Sequence, residues 1–171
     1  MKKPEDSYQG KPIRKVLMVC LGNICRSPMA EYLLRDQLEK AGIYDITVSS
    51  AGLLDMEGRE PAPDIVEILA EKGISIGHHK SRKLSGKLIM ENDLILVMET
   101  KQRDEIAKAL PAMAGKVWLL SQFGKVPEER DIPDPYGKKP FHYKACYSDI
   151  FFLVEGLFNF LLKNHMAFQG R

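Results

Sequence analysis

The run Val19-Cys20-Leu21-Gly22-Asn23-Ile24-Cys25-Arg26-Ser27-Pro28 decides how this chain is read. Its two flanks differ in period. Upstream, Val16-Leu17-Met18-Val19 is a short apolar run, the pattern of a strand buried on both faces of a parallel sheet. Downstream, Ser27-Pro28 reads as a helix start, with serine at the N-cap and proline at the first helical position. Met29, Leu33, Leu34 and Leu38 then recur at helical spacing, and Gly42 is the expected stop. Cys20 to Arg26 is therefore a loop between a strand end and a helix N-terminus. Free amides and the positive end of the helix dipole point into such a loop. Gly22 and Asn23 tolerate the positive φ that turns several amides inward, so the loop is expected to be an anion nest.

The side chains in that nest define a chemistry. Cys20 stands at its mouth, where a helix N-terminus and a nearby arginine favour the thiolate, the nucleophilic form. Ser27 is placed to give the sulfur a hydrogen bond. Arg26 offers a planar fork that matches two phosphate oxygens. A thiolate repels a phosphate dianion, so the amides of Leu21 to Ser27 and the Arg26 guanidinium must supply the compensating field. A lone cysteine at a strand end is ordinarily a small buried hydrophobe. Here cysteine, glycine, asparagine, arginine, serine and proline all fit one geometry. The nucleotide-binding pattern Gly-x4-Gly-Lys-Ser/Thr is absent. A departing oxygen would need a proton, which a carboxylic acid can provide. Asp131-Ile132-Pro133-Asp134-Pro135-Tyr136 holds two candidates, and proline on either side of Asp134 fixes the backbone around it.

Outward from the loop, strands and helices alternate. Ile46 to Ser49, Leu94 to Met98 and Val117 to Leu120 read as further strands. Pro61 to Lys72, Lys101 to Leu110 and Phe141 to His165 read as helices, the last with a core stripe of Tyr147, Ile150, Phe151, Val154, Leu157, Phe158 and Leu161. The expected fold is α/β: a single domain with a four-stranded parallel sheet, helices on both faces and the phosphate-binding loop after the first strand. In such sheets ligands bind beyond the carboxyl ends of the strands, where Cys20 lies. Residues 1–12 are polar and expected to be loose, leaving 13–168 as the domain.

Cys20-Leu21-Gly22-Asn23-Ile24-Cys25-Arg26-Ser27-Pro28-Met29-Ala30-Glu31 resembles the loop of the low-molecular-weight protein tyrosine phosphatases, whose motif is C-x5-R-S. Ser49-Ser50-Ala51-Gly52, the segment Gly73 to Arg82 and Asp134-Pro135-Tyr136 resemble further motifs of that family, so the likeness runs from about Arg14 to about His165. It implies hydrolysis of phosphate monoesters, chiefly phosphotyrosine, through a cysteinyl phosphate and without metal or other cofactor. It implies Asp134 rather than Asp131 as the general acid, then base. It places His79 behind Asn23 as support for the loop. Leu21, Ile24, Met56 and Tyr136 become the walls of the substrate pocket, and Cys25 the redox partner of Cys20. Arginine phosphatases of the same family carry threonine at the position of Ile24, and isoleucine suits a flat phenol. Met56 and Gly137 depart from eukaryotic members, which commonly have tryptophan and a second tyrosine there.

Arsenate reductases share this fold and a similar loop, but their relay needs a further cysteine pair, and no cysteine lies between Cys25 and Cys146. A non-catalytic phosphate-binding module is the third reading, and it would be expected to lack Cys20, Arg26 or Asp134. Three cysteines make no paired framework, and with no signal peptide visible the expected compartment is the cytoplasm. A net charge of +2 argues against nucleic acid as the main partner. No run approaches the roughly 18 apolar residues of a membrane span. The expected partner is a phosphotyrosine protein, such as a bacterial tyrosine kinase, met by a monomer or weak dimer.

Overall fold

The computed structural model describes residues 4–8 and 11–168. Four parallel strands, β1 (Lys15–Cys20), β2 (Thr47–Gly52), β3 (Leu94–Val97) and β4 (Val117–Leu119), form one sheet in the order β2-β1-β3-β4. Between and after them lie α2 (Arg26–Lys40), α3 (Pro63–Ala70), α4 (Gly86–Glu91), α5 (Thr100–Ala109) and α6 (Pro140–Phe168). A four-residue helix, α1 (Pro4–Ser7), precedes β1.

The two-residue period of β1 sorts its side chains between two cores. Val16, Met18 and Cys20 face Leu34, Leu38, Ile65, Leu69, Ile150 and Leu157 of α2, α3 and α6. Leu17 and Val19 face Ile89 of α4 and Ile106 of α5. Both faces of β1 and β3 are therefore covered, which is why their sequences are apolar from Val16 to Cys20 and from Leu94 to Val97. Cys20 is the last residue of the central strand and pairs in register with Gly52 of β2. That register sets the phosphate loop on the carboxyl edge of the sheet.

Several boundaries differ from the sequence reading. β2 extends through Ala51 and Gly52, although Ser-Ser-Ala-Gly looks like turn composition, because β1 runs the same length beside it and pairs with every residue. α2 begins at Arg26, with Cys25 rather than Ser27 at the N-cap and no side-chain cap bond. The Ser27 hydroxyl goes to the cysteine instead. α3 begins at Pro63 rather than Pro61, because the amide of Ala62 donates to the Ile24 carbonyl and holds the chain against the phosphate loop. α4 and the 3-10 helices Pro111–Lys116 and Leu120–Phe123 have no apolar period long enough to be read.

The N-terminal segment, expected to be loose, includes α1 and a buried Tyr8 whose hydroxyl donates to the Asp93 carbonyl. The rest of that expectation for 1–3 and 9–10 lies outside the described residues. By length and composition α6 is apolar enough to cross a bilayer, against the sequence reading. Its buried stripe from Tyr143 to His165 packs on the core, which accounts for the apolar composition.

Candidate active site

The backbone of the loop is shaped by Asn23, whose φ of 56° is the only positive value at a non-glycine position among the described residues. Its side chain then ties the turn together. Nδ2 donates to Ser27 Oγ at 2.9 Å and to Ser50 Oγ at 2.8 Å, and Oδ1 accepts from the Arg82 amide at 3.0 Å. The Asn23 carbonyl lies 3.0 Å from His79 Nε2, so the buried His79 ring carries its proton on Nε2 and donates. Ser50 donates in turn to Glu31, which is also paired with Arg35 at 2.6 Å. The loop rests directly on β2. A Cβ added at Gly52 would sit 2.9 Å from Asn23 N, Gly22 C and Leu21 O, so only glycine admits this close approach.

The sulfur of Cys20 lies 3.0 Å from Ser27 Oγ and accepts from the Asn23 amide at 3.3 Å. Arg26, 1% exposed, is held on three sides: Nη1 donates to Glu99 Oε1 at 2.5 Å and to the Ile132 carbonyl at 2.8 Å, and Nη2 to Asp134 Oδ2 at 2.9 Å. Its Nε is buried and has no hydrogen-bond partner among the described residues. Burial opposes the guanidinium charge, but the neighbouring Cys20, Asp134 and Glu99 outweigh it and raise its pKa. Asp134 is partly exposed at 37% and also accepts from the Tyr136 amide at 3.1 Å. Asp131, the other carboxylate considered, instead accepts from the Thr100 amide at 2.7 Å.

Above the sulfur is a small cavity of about 180 Å³. Leu21, Ile24, Met56 and Tyr136 line it, together with Cys20, Gly22, Cys25 and Asp134. Met56 lies close over Gly22. The cavity is apolar apart from the loop, Asp134 and one further charge, Arg59. Arg59, Leu54 and Glu99 went unread. Glu99 is 73 positions from Arg26 and carries no local motif, and Leu54 and Arg59 fall in a segment without periodicity. His79 and Ser27 stand behind the loop rather than in the cavity. Cys25 is 3% exposed, and burial, then Asp134 and Cys20, push its thiol far above the ordinary range. The three cysteines are free thiols. No cluster of three His, Cys, Asp or Glu side chains fit to hold a metal occurs among the described residues.

The family model for "Low molecular weight phosphotyrosine protein phosphatase" matches residues 15–167. A probable low molecular weight protein-tyrosine-phosphatase, EpsP, of Ralstonia nicotianae is 42% identical over 127 residues, covering 74% of this chain and 81% of its own. Among solved structures, the tyrosine phosphatase AmsI of Erwinia amylovora aligns with a TM-score of 0.80 at 32% identity, covering 90% of this chain and 96% of its own. The YwlE arginine phosphatase of Geobacillus stearothermophilus aligns with a TM-score of 0.83 at 31% identity, covering 94% and 99%.

Proposed function

The chain belongs to the low molecular weight phosphotyrosine protein phosphatase family, and from that premise we propose that it hydrolyses phosphotyrosine and other aryl phosphates through a phosphate ester on Cys20. The observation that carries this reading is the triple clamp on Arg26, which fixes the guanidinium beside Cys20 and brings Asp134 within 2.9 Å of it. One donor-rich group thereby stands next to both the nucleophile and a carboxyl group.

Substrate phosphate enters the nest, and its oxygens meet the loop amides and Arg26. Nε, without a partner among the described residues, and Nη2, now on Asp134, form the fork for two oxygens. Phosphate displaces Asp134 from Nη2, which frees that carboxyl group to protonate and reach the ester oxygen. Cys20 sulfur then bonds to phosphorus as the phosphorus–oxygen bond to the ring breaks. Asp134 gives its proton to the leaving phenolate, and the field of the amides and Arg26 stabilises the equatorial oxygens. In the second half a water attacks phosphorus, the sulfur–phosphorus bond breaks, and Asp134 takes the water's proton. Every group is a side chain or amide of this chain, so no cofactor is required.

The apolar walls Ile24, Met56 and Tyr136 suit an aromatic ring. They favour phosphotyrosine over the phosphoguanidinium taken by the arginine phosphatase this chain also resembles. A phosphotyrosine protein, such as a tyrosine kinase, is the partner this pocket fits. Cys25, which lines the same cavity as Cys20, is the resolving group. Peroxide converts Cys20 to a sulfenic acid, and Cys25 condenses with it to a disulfide, releasing water.

The deciding assay is p-nitrophenyl phosphate turnover in the presence of a chelator. Wild type is expected to be active and Cys20→Ser inactive; turnover that survives the substitution, or that needs a divalent ion, defeats the mechanism. Phosphotyrosine and phosphoarginine peptides run side by side assign the substrate, with preference for phosphoarginine overturning the aryl reading.

A further inference from the structure

We propose that Asp131 is a positioning residue for the general acid: its carboxylate anchors the acid loop to the N-terminus of α5 so that Asp134 stays in place once substrate has taken Arg26. The inference rests on the reading of Asp134 as the acid.

The argument begins with what holds Asp134 in the ligand-free protein. Oδ2 is bound by Arg26 Nη2, and Oδ1 by the amide of Tyr136 in its own loop. The first contact is the one that phosphate replaces. The second moves with the loop and anchors it to nothing. During reaction the position of the acid therefore depends on how the loop is tied to the body of the protein. After Asp134 the Gly137 amide donates to Tyr143 Oη at 3.2 Å, and before it three ties are present at Asp131 and Ile132. Asp131 Oδ1 accepts from Thr100 N at 2.7 Å, the Ile132 amide donates to the Met98 carbonyl at 2.8 Å, and the Ile132 carbonyl accepts from Arg26 Nη1 at 2.8 Å. Only the first of these is a side chain of the acid loop itself.

Stiffness then carries the anchor forward. Ile132 is fully buried, and Pro133 and Pro135 fix φ on both sides of Asp134 and confine the residues before them. With so few free torsions between residues 131 and 134, a shift at Asp131 is passed on to Asp134. The anchor point is strong for its size. Thr100 is the first residue of α5, its amide has no partner within the helix, and the helix dipole favours a carboxylate there. The preceding residue, Glu99, holds Arg26. One helix end thus sets both the arginine and the acid, and so their spacing.

The test is the leaving-group dependence of kcat/KM across aryl phosphates from phenyl to 2,4-dinitrophenyl. A misplaced acid slows poor leaving groups and spares good ones, whereas general damage to the fold slows all alike. For Asp131→Ala, kcat/KM on phenyl phosphate is expected to fall about tenfold, a fraction of the 10²–10⁴ an acid supplies, with a change under about twofold on the dinitrophenyl ester. Asp131→Asn keeps an acceptor for the Thr100 amide and is expected to restore most of the loss. Thr100→Pro removes the donor from the other side. Proline is favoured at the first helical position, and Glu99 before it is already extended (φ −138°, ψ 147°), so α5 should tolerate it. It should reproduce the Asp131→Ala profile. Asp134→Ala, run in the same series, should give the steepest dependence. If Asp134→Ala is steep while Asp131→Ala and Thr100→Pro match wild type, the positioning role is overturned and the acid assignment stands. If Asp131→Ala is steep but Asp131→Asn does not recover, the effect is one of charge and the anchoring role is likewise overturned. If Asp134→Ala shows no dependence, the acid assignment fails and takes this inference with it.

Discussion

At the scale of single residues, Asn23 does most to shape the loop. It combines a left-handed backbone with a side chain that joins Ser27, Ser50 and the Arg82 amide. Asn23→Ala loses both, at about 1–2 kcal/mol for the backbone and about 1 kcal/mol for each net hydrogen bond. Destabilisation of about 4–5 kcal/mol by urea unfolding is expected, with at least a tenfold loss of kcat. Asn23→Gly restores the backbone alone, so it should recover part of the stability and little of the activity. Equal behaviour of the two variants would show that the backbone conformation contributes nothing. Cys20 and Arg26 were legible as a pair at this scale because a seven-residue loop is a local object whose residue types report their own geometry. Glu99 was not, since its function exists only where β3 ends beside β1.

Glycines at two contacts between elements should separate activity from stability. At Gly52, β2 meets the phosphate loop backbone at 2.9 Å, so Gly52→Ala must displace the loop. Overpacking of this kind costs about 1–3 kcal/mol, and here the shift falls on the nest itself. A clear rise in KM for p-nitrophenyl phosphate is expected beside the loss of stability. At Gly156, in the middle of α6, an added Cβ would lie 1.8 Å from the Phe123 carbonyl oxygen. Gly156→Ala must therefore push α6 from the 3-10 helix Leu120–Phe123. It is expected to lower Tm more than Gly52→Ala while leaving KM nearly unchanged in the folded fraction. A KM change at Gly156 as large as that at Gly52 would contradict this division. Ser49-Ser50-Ala51-Gly52 was recognisable as a motif, yet the strand was read as ending at Ser49. Pairing with β1 makes it strand, and the close approach of the loop makes its last residue glycine.

For the whole molecule, burial of thiols sets a dependence on alkaline pH. Desolvation raises the Cys25 thiol beyond the ordinary range, and burial pushes the Cys146 thiol up to about 12. Both raised values mean that the folded state keeps protons the unfolded chain gives up. This contribution is fully present below the unfolded thiol pKa of about 8.5 and is lost as pH rises through the folded values. Urea stability is therefore expected to fall between pH 8 and 10, before tyrosines ionise in the unfolded chain. Cys146→Ala should show a shallower slope over the same range. The maximum for one thiol is about 1.4 kcal/mol per pH unit. An unchanged slope would mean that Cys146 ionises alike in both states. In the same way iodoacetamide at neutral pH should spare Cys25 and Cys146, as peptide mapping would show.

What the sequence alone determined was whatever depends on neighbours along the chain. The apolar runs and their periods specified a parallel sheet with helices on both faces. The C-x5-R spacing at a strand end pointed to a loop that sets Cys20 beside Arg26. Segments resembling known motifs led to Asp134, His79 and the pocket walls. The tertiary structure decided which groups meet across the sheet. It gave Arg26 its three acceptors, assigned Asp131 to the end of α5 and left Asp134 on the arginine, and removed the expected cap role of Ser27 while keeping its contact with the sulfur. Those contacts join residues up to 108 positions apart, and no local propensity encodes them. They arise because the parallel register brings the ends of β1, β2 and β3 to one edge, where buried polar groups must find partners.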